Sequence, residues 1–218
     1  MRRAFDLSLY LVLDPVLCGG FDGMVSTAFT SVRAGATVVQ LRAPGWKKRD
    51  LVNCARALKK TLAPFSIPLI IDDDADVCLA ADADGLHVGQ RDLEIHDARA
   101  IIGPDRILGL SVSNLEELAG ADAAVTDYLG VGPIFATSTK PDAAPAMGYD
   151  GLTAVTSATS LPTVAIGGIK AAHAADIIRA GADGIAVVSA ICGQADPEAA
   201  TAKLKTLVNA ALSERNAR

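Results

Sequence analysis

Short apolar segments of the kind that form buried strands alternate with helical segments along the 218-residue chain. Eight of them, each bounded by loop residues, are predicted as strands at 10–13, 37–41, 69–72, 85–88, 107–111, 128–132, 163–166 and 184–188. Between them, the spacing of apolar residues predicts helices at 24–34, 49–62, 98–102, 115–119, 171–180 and 197–212. Eight strand–helix units predict an α/β fold, a closed parallel (β/α)8 TIM barrel, as one domain over residues 1–218.

A doubly wound open sheet is the rival fold for such an alternation. Open sheets of this kind rarely need eight strands and usually carry a glycine-rich turn after the first strand. Here the first strand leads into Asp14-Pro15-Val16-Leu17-Cys18-Gly19-Gly20, which lacks the dinucleotide-binding spacing. The closed barrel is therefore the preferred interpretation.

Charge and hydropathy exclude several kinds of partner. The net charge of −5 argues against nucleic acid, which requires a basic face. The longest apolar runs are far shorter than the roughly 20 residues that span a membrane, and segment 7–14 is interpreted as a strand, not a signal peptide. The four cysteines are widely spaced, so we expect reduced, mostly buried thiols in a cytoplasmic protein. A homo-oligomer is left open.

The candidate active site follows from the barrel, because such enzymes place it at the carboxyl ends of the strands. After the second to the eighth strand, six of the seven ends carry polar side chains, and the remaining one offers bare backbone. In chain order these residues are Gln40 and Arg42; Asp72, Asp73 and Asp74; Gln90 and Asp92; Ser111 and Ser113; Thr137, Ser138, Thr139 and Lys140; Gly167 and Gly168; and Ser189 and Ala190. This distribution favours an enzyme.

A metal site is predicted where the third and fourth strands end. Asp72, Asp73 and Asp74 follow one strand, and Asp92 follows the next. Alone, the three aspartates would indicate an exposed acidic turn. Crowded carboxylates repel one another unless a cation neutralises them, and oxygen ligands beside a phosphate suit Mg²⁺. Together these residues favour a Mg²⁺ site.

Anion-binding groups are predicted at three other strand ends. The hydroxyls of Thr137 and Thr139 with the Lys140 ammonium would suit a phosphate, although a plain polar loop is the alternative. Arg42 can hold two phosphate oxygens, or it can pair with a rim aspartate. The Gly167-Gly168 turn is expected to open a helix whose free N–H groups favour an anion. His87 is interpreted as a satisfied core histidine.

With these residues the chain resembles the thiamine phosphate synthase family. The segments that carry the resemblance are Gln40-Leu41-Arg42, Ile71-Asp72-Asp73, the run from Asp84 to Asp92, Leu108-Gly109-Leu110-Ser111, the run from Asp127 to Phe135, Thr137, Thr139, Lys140, Gly148, Ala165-Ile166-Gly167-Gly168-Ile169 and Val188-Ser189-Ala190-Ile191. The resemblance implies a transferase that joins hydroxymethylpyrimidine diphosphate to a thiazole phosphate and releases pyrophosphate.

The resemblance also implies a role for each site residue. Asp73 and Asp92 would hold Mg²⁺, and the pyrophosphate would contact Arg42, Ser111 and Lys140, the predicted catalytic residues. Gln40 would contact the pyrimidine. The thiazole phosphate would be held by Thr137, Thr139, Gly168 and Ser189. Asp72, Gln90 and Ala190, which stand at the same strand ends, complete the predicted substrate-binding set.

Two positions depart from the family pattern. Pro44 stands where the family usually has Lys, and Asp72 stands where it usually has Asn. We expect Lys47 or Lys48, on the loop that contains Gly45, to supply the missing charge; alternatively, Asp72 faces the metal or pairs with Arg42.

Two other functions are weighed against the synthase. The departures motivate a non-catalytic protein that binds thiamine precursors. A thiazole tautomerase is disfavoured, because that branch has a catalytic His where this chain has Ser113.

Overall fold

Eight parallel strands close into a barrel in chain order in the computed structural model, which describes residues 5–137, 139 and 144–217. The strands are β1 (Leu9–Leu13), β2 (Val38–Leu41), β3 (Leu69–Asp72), β4 (Gly85–Val88), β5 (Ile107–Val112), β6 (Tyr128–Val131), β7 (Thr163–Ile166) and β8 (Gly184–Val187). Tyr10 pairs with Val38 on one side and Ala186 on the other, which closes the ring. The predicted (β/α)8 barrel is confirmed.

Helices surround the barrel. They are α1 (Pro15–Cys18), α2 (Phe21–Arg33), α3 (Lys48–Leu62), α4 (Ala75–Ala80), α5 (Ile95–Ile102), α6 (Leu115–Ala119), α7 (Gly148–Ser157), α8 (Ala174–Arg179) and α9 (Pro197–Asn216). The predicted helix 171–180 divides into a 3-10 turn, Ala171–His173, and α8. Within the described part of the chain, no helix combines the length and apolar character needed to cross a membrane.

Two apolar cores result from the alternation of side chains along each strand. Inside the barrel, one core contains Tyr10, Val12, Val38, Ile70, Ile107, Tyr128, Val164 and Ala186. The larger core fills the layer between the barrel and the helices, where Leu9, Leu11 and Leu13 of β1 point outward. The inner core supports the floor of the carboxyl-end cavity.

The residue immediately before each even-numbered strand fastens that strand to the one before it. Its side-chain oxygen accepts the N–H of a residue at the start of the preceding strand, and its own N–H donates to the same residue's carbonyl. We call this arrangement an amino-end clamp. The four clamps, with side-chain distances, are Thr37 on Leu9 (3.0 Å), Asp84 on Leu69 (3.0 Å), Asp127 on Leu108 (2.8 Å) and Asp183 on Thr163 (2.9 Å).

A nearly buried arginine reinforces one clamp. The Arg99 guanidinium of α5 donates to the Asp127 carboxylate at 2.6 Å, and both side chains are about 10% exposed or less. It also donates to the carbonyls of Gly103, Arg106 and Val125. The arginine therefore ties α5 to the amino ends of β5 and β6.

Candidate active site

The carboxyl ends of the strands open into a cavity of about 620 Å³. The predicted site residues that line it are Gln40, Arg42, Asp72, Asp73, Gln90, Asp92, Ser111, Thr137, Thr139, Gly168 and Ser189. Ala190 follows Ser189 but is not part of the lining. Lys140 lies outside the described residues. The structure therefore brings most of the predicted set to one cavity.

The acidic side of the cavity is formed by the loops after β3 and β4. The Asp73 N–H donates to the His87 carbonyl at 2.8 Å, and Asp73 has φ +59°, a left-handed conformation uncommon for a residue with a side chain. Asp92 accepts the Gly89 N–H at 2.9 Å. These hydrogen bonds to the backbone therefore fix the positions of both aspartates.

The donor set fits a magnesium ion that is shared with a substrate. Among residues 5–137, 139 and 144–217, no group of three or more His, Cys, Asp or Glu could hold a metal. Mg²⁺, however, usually takes one or two carboxylates, keeps waters and binds substrate phosphates. Two carboxylates on the wall of a cavity of this size match that requirement.

Arg42 forms an ion pair with Asp72 inside the cavity. Arg42 Nε lies 3.2 Å from Asp72 Oδ2, and the side chains are 19% and 17% exposed. The expectation that Lys47 or Lys48 supplies the missing charge stays a prediction, because neither lysine lies in the cavity in this arrangement. Lys48 binds Asp74 and Asp76 instead, and neither Lys47 nor Lys48 lines the cavity. The reason is that Lys48 begins α3, which packs against α4.

A chain of hydrogen bonds crosses the barrel beneath the cavity. Gln40 Nε2 donates to the Tyr10 hydroxyl at 3.1 Å, and the Tyr10 and Tyr128 hydroxyls are 2.9 Å apart. The Tyr128 hydroxyl lies 2.9 Å from His87 Nδ1, and His87 Nε2 lies 2.8 Å from Ser111 Oγ. We call these five residues the interior chain. His87 is a satisfied buried histidine, as predicted, but sequence analysis did not connect it to Ser111.

Two glycines make room for the interior chain. His87 lies opposite Gly109 in the β4–β5 register. A Cβ on Gly109 would approach His87 Nδ1 to 2.5 Å and would clash with the Tyr128 ring. A Cβ on Gly130 would approach His87 Cε1 to 3.0 Å. In the sequence, the only sign of these bulky neighbours was the presence of glycine inside two buried strands.

Both phenols of the interior chain keep their protons at neutral pH. Burial raises the pKa of Tyr10 well above its usual value, and Tyr128 and Asp72 act in the same direction. Burial also raises the pKa of Tyr128. Each hydroxyl therefore has one proton to donate.

The opposite wall is formed by the loops after β6, β7 and β8. Gly167 and Gly168 have φ +101° and +64°, and a Cβ on Gly168 would approach the Ala136 carbonyl to 2.7 Å. The turn does not open a helix directly, because a 3-10 turn begins only at Ala171. Lys170 Nζ lies 3.4 Å from Ser189 Oγ, so a cation stands beside the predicted phosphate site.

Glu117 is a further lining residue that the sequence analysis missed. Its carboxylate accepts the N–H and the hydroxyl of Ser113, both at 2.7 Å. Gln90 Nε2 donates to the Ser111 carbonyl at 2.7 Å. These bonds fix the backbone around Ser111.

Comparison with known proteins adds a consistent set of likenesses. A family model described as thiamine monophosphate synthase matches residues 9–191. The chain is 56% identical over 211 residues to a thiamine-phosphate synthase of Xanthobacter autotrophicus, covering 97% of this chain and all of that protein. It is 51% identical over 207 residues to one of Laribacter hongkongensis, covering 95% and 98%. A solved thiamine phosphate pyrophosphorylase from Pyrococcus furiosus superposes with a TM-score of 0.85 at 34% identity, covering 94% and 97%.

Proposed function

The chain belongs to the thiamine monophosphate synthase family and is a transferase that forms thiamine phosphate; we propose that it does so by a dissociative, Mg²⁺-assisted substitution in the carboxyl-end cavity. The substrates are hydroxymethylpyrimidine diphosphate and a thiazole phosphate. The observation that carries the proposal is one cavity with carboxylates and a guanidinium on one wall and a glycine turn beside a lysine on the other.

The pyrophosphate end of the first substrate lies at the acidic wall in this proposal. Asp73 and Asp92 would hold Mg²⁺, which would neutralise the negative charge of the diphosphate as it leaves. Arg42 and Ser111 donate hydrogen bonds to the departing oxygens, together with Lys140. Gln40 contacts the pyrimidine, and Asp72 and Gln90 border the same end of the substrate.

The reaction breaks one C–O bond and forms one C–N bond. The electron pair of the C–O bond leaves with pyrophosphate, and the resulting pyrimidine-methyl cation accepts the lone pair of the thiazole nitrogen. The protein's share is electrostatic, because donors placed around the leaving group stabilise the charge that develops there. The cavity walls keep water from the cation.

The thiazole phosphate occupies the opposite wall in this proposal. Thr137, Thr139 and Ser189 supply hydroxyl donors, and the backbone around Gly168 and Ala190 supplies N–H groups. Lys170, which contacts Ser189, supports the assignment because it adds positive charge beside the phosphate. The same proposal treats residues 1–218 as one barrel domain in the cytoplasm, supported by the closed strand order and the unpaired thiols.

The metal assignment is tested with Asp92→Ala. We expect Mg²⁺-dependent turnover to be lost while the far-ultraviolet circular dichroism stays unchanged. Asp176→Ala is the control, because Asp176 is an exposed carboxylate on α8 that pairs with Arg179. Full turnover of Asp92→Ala, or turnover that survives a chelator in the wild type, would contradict the metal assignment.

The thiazole wall is tested with Gly168→Val. The substitution should raise the KM for the thiazole phosphate, because a side chain cannot be accommodated beside Ala136 and Phe135. A change confined to the KM for the pyrimidine diphosphate would contradict the assignment. Binding of both substrates to the wild type without any product would favour a non-catalytic binder.

A further inference from the structure

The interior chain connects the two ends of the reacting substrate. Gln40 of β2 stands at the predicted pyrimidine contact, and Ser111 of β5 stands at the predicted pyrophosphate contact. Tyr10, Tyr128 and His87 join them through an unbroken series of hydrogen bonds of 2.8 to 3.1 Å. The three linking side chains are at most 9% exposed.

The protons available in the interior chain determine which group donates and which accepts in each of its hydrogen bonds. An amide nitrogen only donates, so the Tyr10 oxygen accepts from Gln40 and the Tyr10 proton goes to Tyr128. The Tyr128 proton then goes to His87 Nδ1, which must be the unprotonated nitrogen of a neutral imidazole. His87 Nε2 carries the ring proton and donates to Ser111 Oγ. The proton of Ser111 is therefore free to point into the cavity.

The opposite donor-to-acceptor direction requires every hydrogen bond of the interior chain to reverse together. If the amide of Gln40 were rotated, its oxygen would accept from Tyr10, the His87 proton would move to Nδ1, and Ser111 would donate to Nε2. Ser111 would then present lone pairs to the cavity instead of a proton. While His87 is neutral, any mixed arrangement leaves a buried hydroxyl or ring nitrogen without a partner, which is costly.

We propose that Tyr10, Tyr128 and His87 are positioning residues that set the hydrogen-bonding polarity of Gln40 and Ser111 together. Ser111 is held as a donor toward the leaving pyrophosphate, and the Gln40 amide oxygen is held as an acceptor for an N–H of the pyrimidine. A donor aimed at a departing anion lowers the barrier, whereas a lone pair aimed there raises it. The catalytic consequence of this proposal rests on the proposed function. The direction of the hydrogen bonds rests on the geometry of the interior chain alone.

The kinetic test removes single hydroxyls and keeps the rings. Tyr128→Phe and Tyr10→Phe should each lower kcat roughly tenfold, the effect of losing about one oriented hydrogen bond. Tyr149→Phe is the matched control, because Tyr149 is the remaining tyrosine of the chain and lies on α7 outside the interior chain. Unchanged kcat in both interior variants would overturn the proposal.

A double-mutant comparison separates positioning from general damage. If Tyr128 acts through Ser111, Tyr128→Phe should have little further effect on kcat in a Ser111→Ala background. A purely structural role predicts that the two losses multiply, and that result would overturn the proposal. Tyr10→Phe in the same background provides a second measurement should Tyr128→Phe fold poorly.

A spectroscopic test does not depend on the reaction. In ¹⁵N-histidine NMR spectra, His87 should be neutral with its proton on Nε2, and Tyr128→Phe should change the protonation pattern of the ring nitrogens. His96 and His173, which lie outside the interior chain, should not change. A wild-type proton on Nδ1 would overturn the proposed polarity. Wild-type protein without turnover would refute the proposed function instead, and the NMR result would still decide the direction.

Discussion

At the scale of single residues, Arg42 has two competing partners. Its guanidinium is paired with the Asp72 carboxylate at 3.2 Å, yet the proposed reaction requires the same group to bind pyrophosphate. The ion pair orders the guanidinium in the absence of substrate, and the diphosphate must then share or displace Asp72. Asp72 therefore tunes how strongly Arg42 binds the anion.

Neutralising Asp72 tests this competition. Asp72→Asn keeps an oxygen acceptor for Arg42 and removes the negative charge, so inhibition by pyrophosphate should tighten roughly fivefold, equivalent to about 1 kcal/mol. Asp74→Asn makes the same charge change on an aspartate that pairs with Lys48 outside the cavity, and it should have little effect. Equal inhibition constants for wild type and Asp72→Asn would contradict the competition.

Cys18 should be the reactive thiol of the chain. A hydrogen bond with Cys192 lowers the pKa of Cys18 to about 7, whereas burial raises the pKa of Cys54 to about 12 and that of Cys78 to about 11. Because the thiolate is the nucleophile, alkylation of Cys18 by iodoacetamide should rise through pH 7. In Cys192→Ala the midpoint of the rate profile should move up toward about 8.5, the value of a free thiol. Cys54→Ala is the control and should leave the midpoint in place.

The site could be predicted from sequence only where its residues stand at strand ends. Asp73, Asp92 and Arg42 were recognised because the ends of parallel strands converge, and the structure brings these residues to one cavity. Tyr10 and Tyr128 were not recognised, because each lies inside an apolar run and its partner is 118 residues away. Local pattern carries no information about which buried polar groups meet across a barrel.

At the scale of elements, Arg99 joins α5 to the amino ends of β5 and β6 through polar contacts. Its guanidinium is satisfied by three carbonyls and the Asp127 carboxylate. Such a network holds its partners in one geometry, and removal of the arginine takes a hydrogen-bond donor from each of them.

Arg99→Ala should therefore be strongly destabilising. Asp127 would lose its charged partner while remaining nearly buried, and breaking a buried pair on one side costs about 3–5 kcal/mol of unfolding free energy. Arg179→Ala removes an exposed ion pair on α8 and should cost at most about 1 kcal/mol. Urea unfolding of both variants measures the difference, and similar midpoints would refute the structural role of Arg99.

The strands were predictable to within one residue at each end, because each buried strand is a short apolar run between loop residues. Three helices were missed. α1 is only four residues long, α4 follows the acidic run directly, and α7 contains two glycines in ten residues. In these segments tertiary packing outweighs local propensity.

At the scale of the whole molecule, stability and chemistry are placed at opposite ends of the barrel. The four amino-end clamps and the Arg99 network lie where the strands begin. The cavity lies where the strands end. Substitutions around the cavity can therefore change activity with little loss of fold, as such barrels generally allow.

The clamps divide the ring into four two-strand sectors, so the chain should be able to begin at any sector and still form the same ring. Each clamp closes a segment of only 15 to 28 residues, and none joins one sector to the next. The two ends of the described chain lie close enough to be linked, since Arg215 near the end of α9 contacts Asp183 just before β8, and β8 pairs with β1.

A circular permutant whose new ends lie between Thr159 and Ser160 keeps every sector whole. A permutant whose new ends lie between Gly120 and Ala121 makes the Asp127 clamp span almost the entire chain. Loop-closure entropy then disfavours the second by about 2 kcal/mol, and it should refold more slowly; equal refolding rates would show that the sectors do not fold as units.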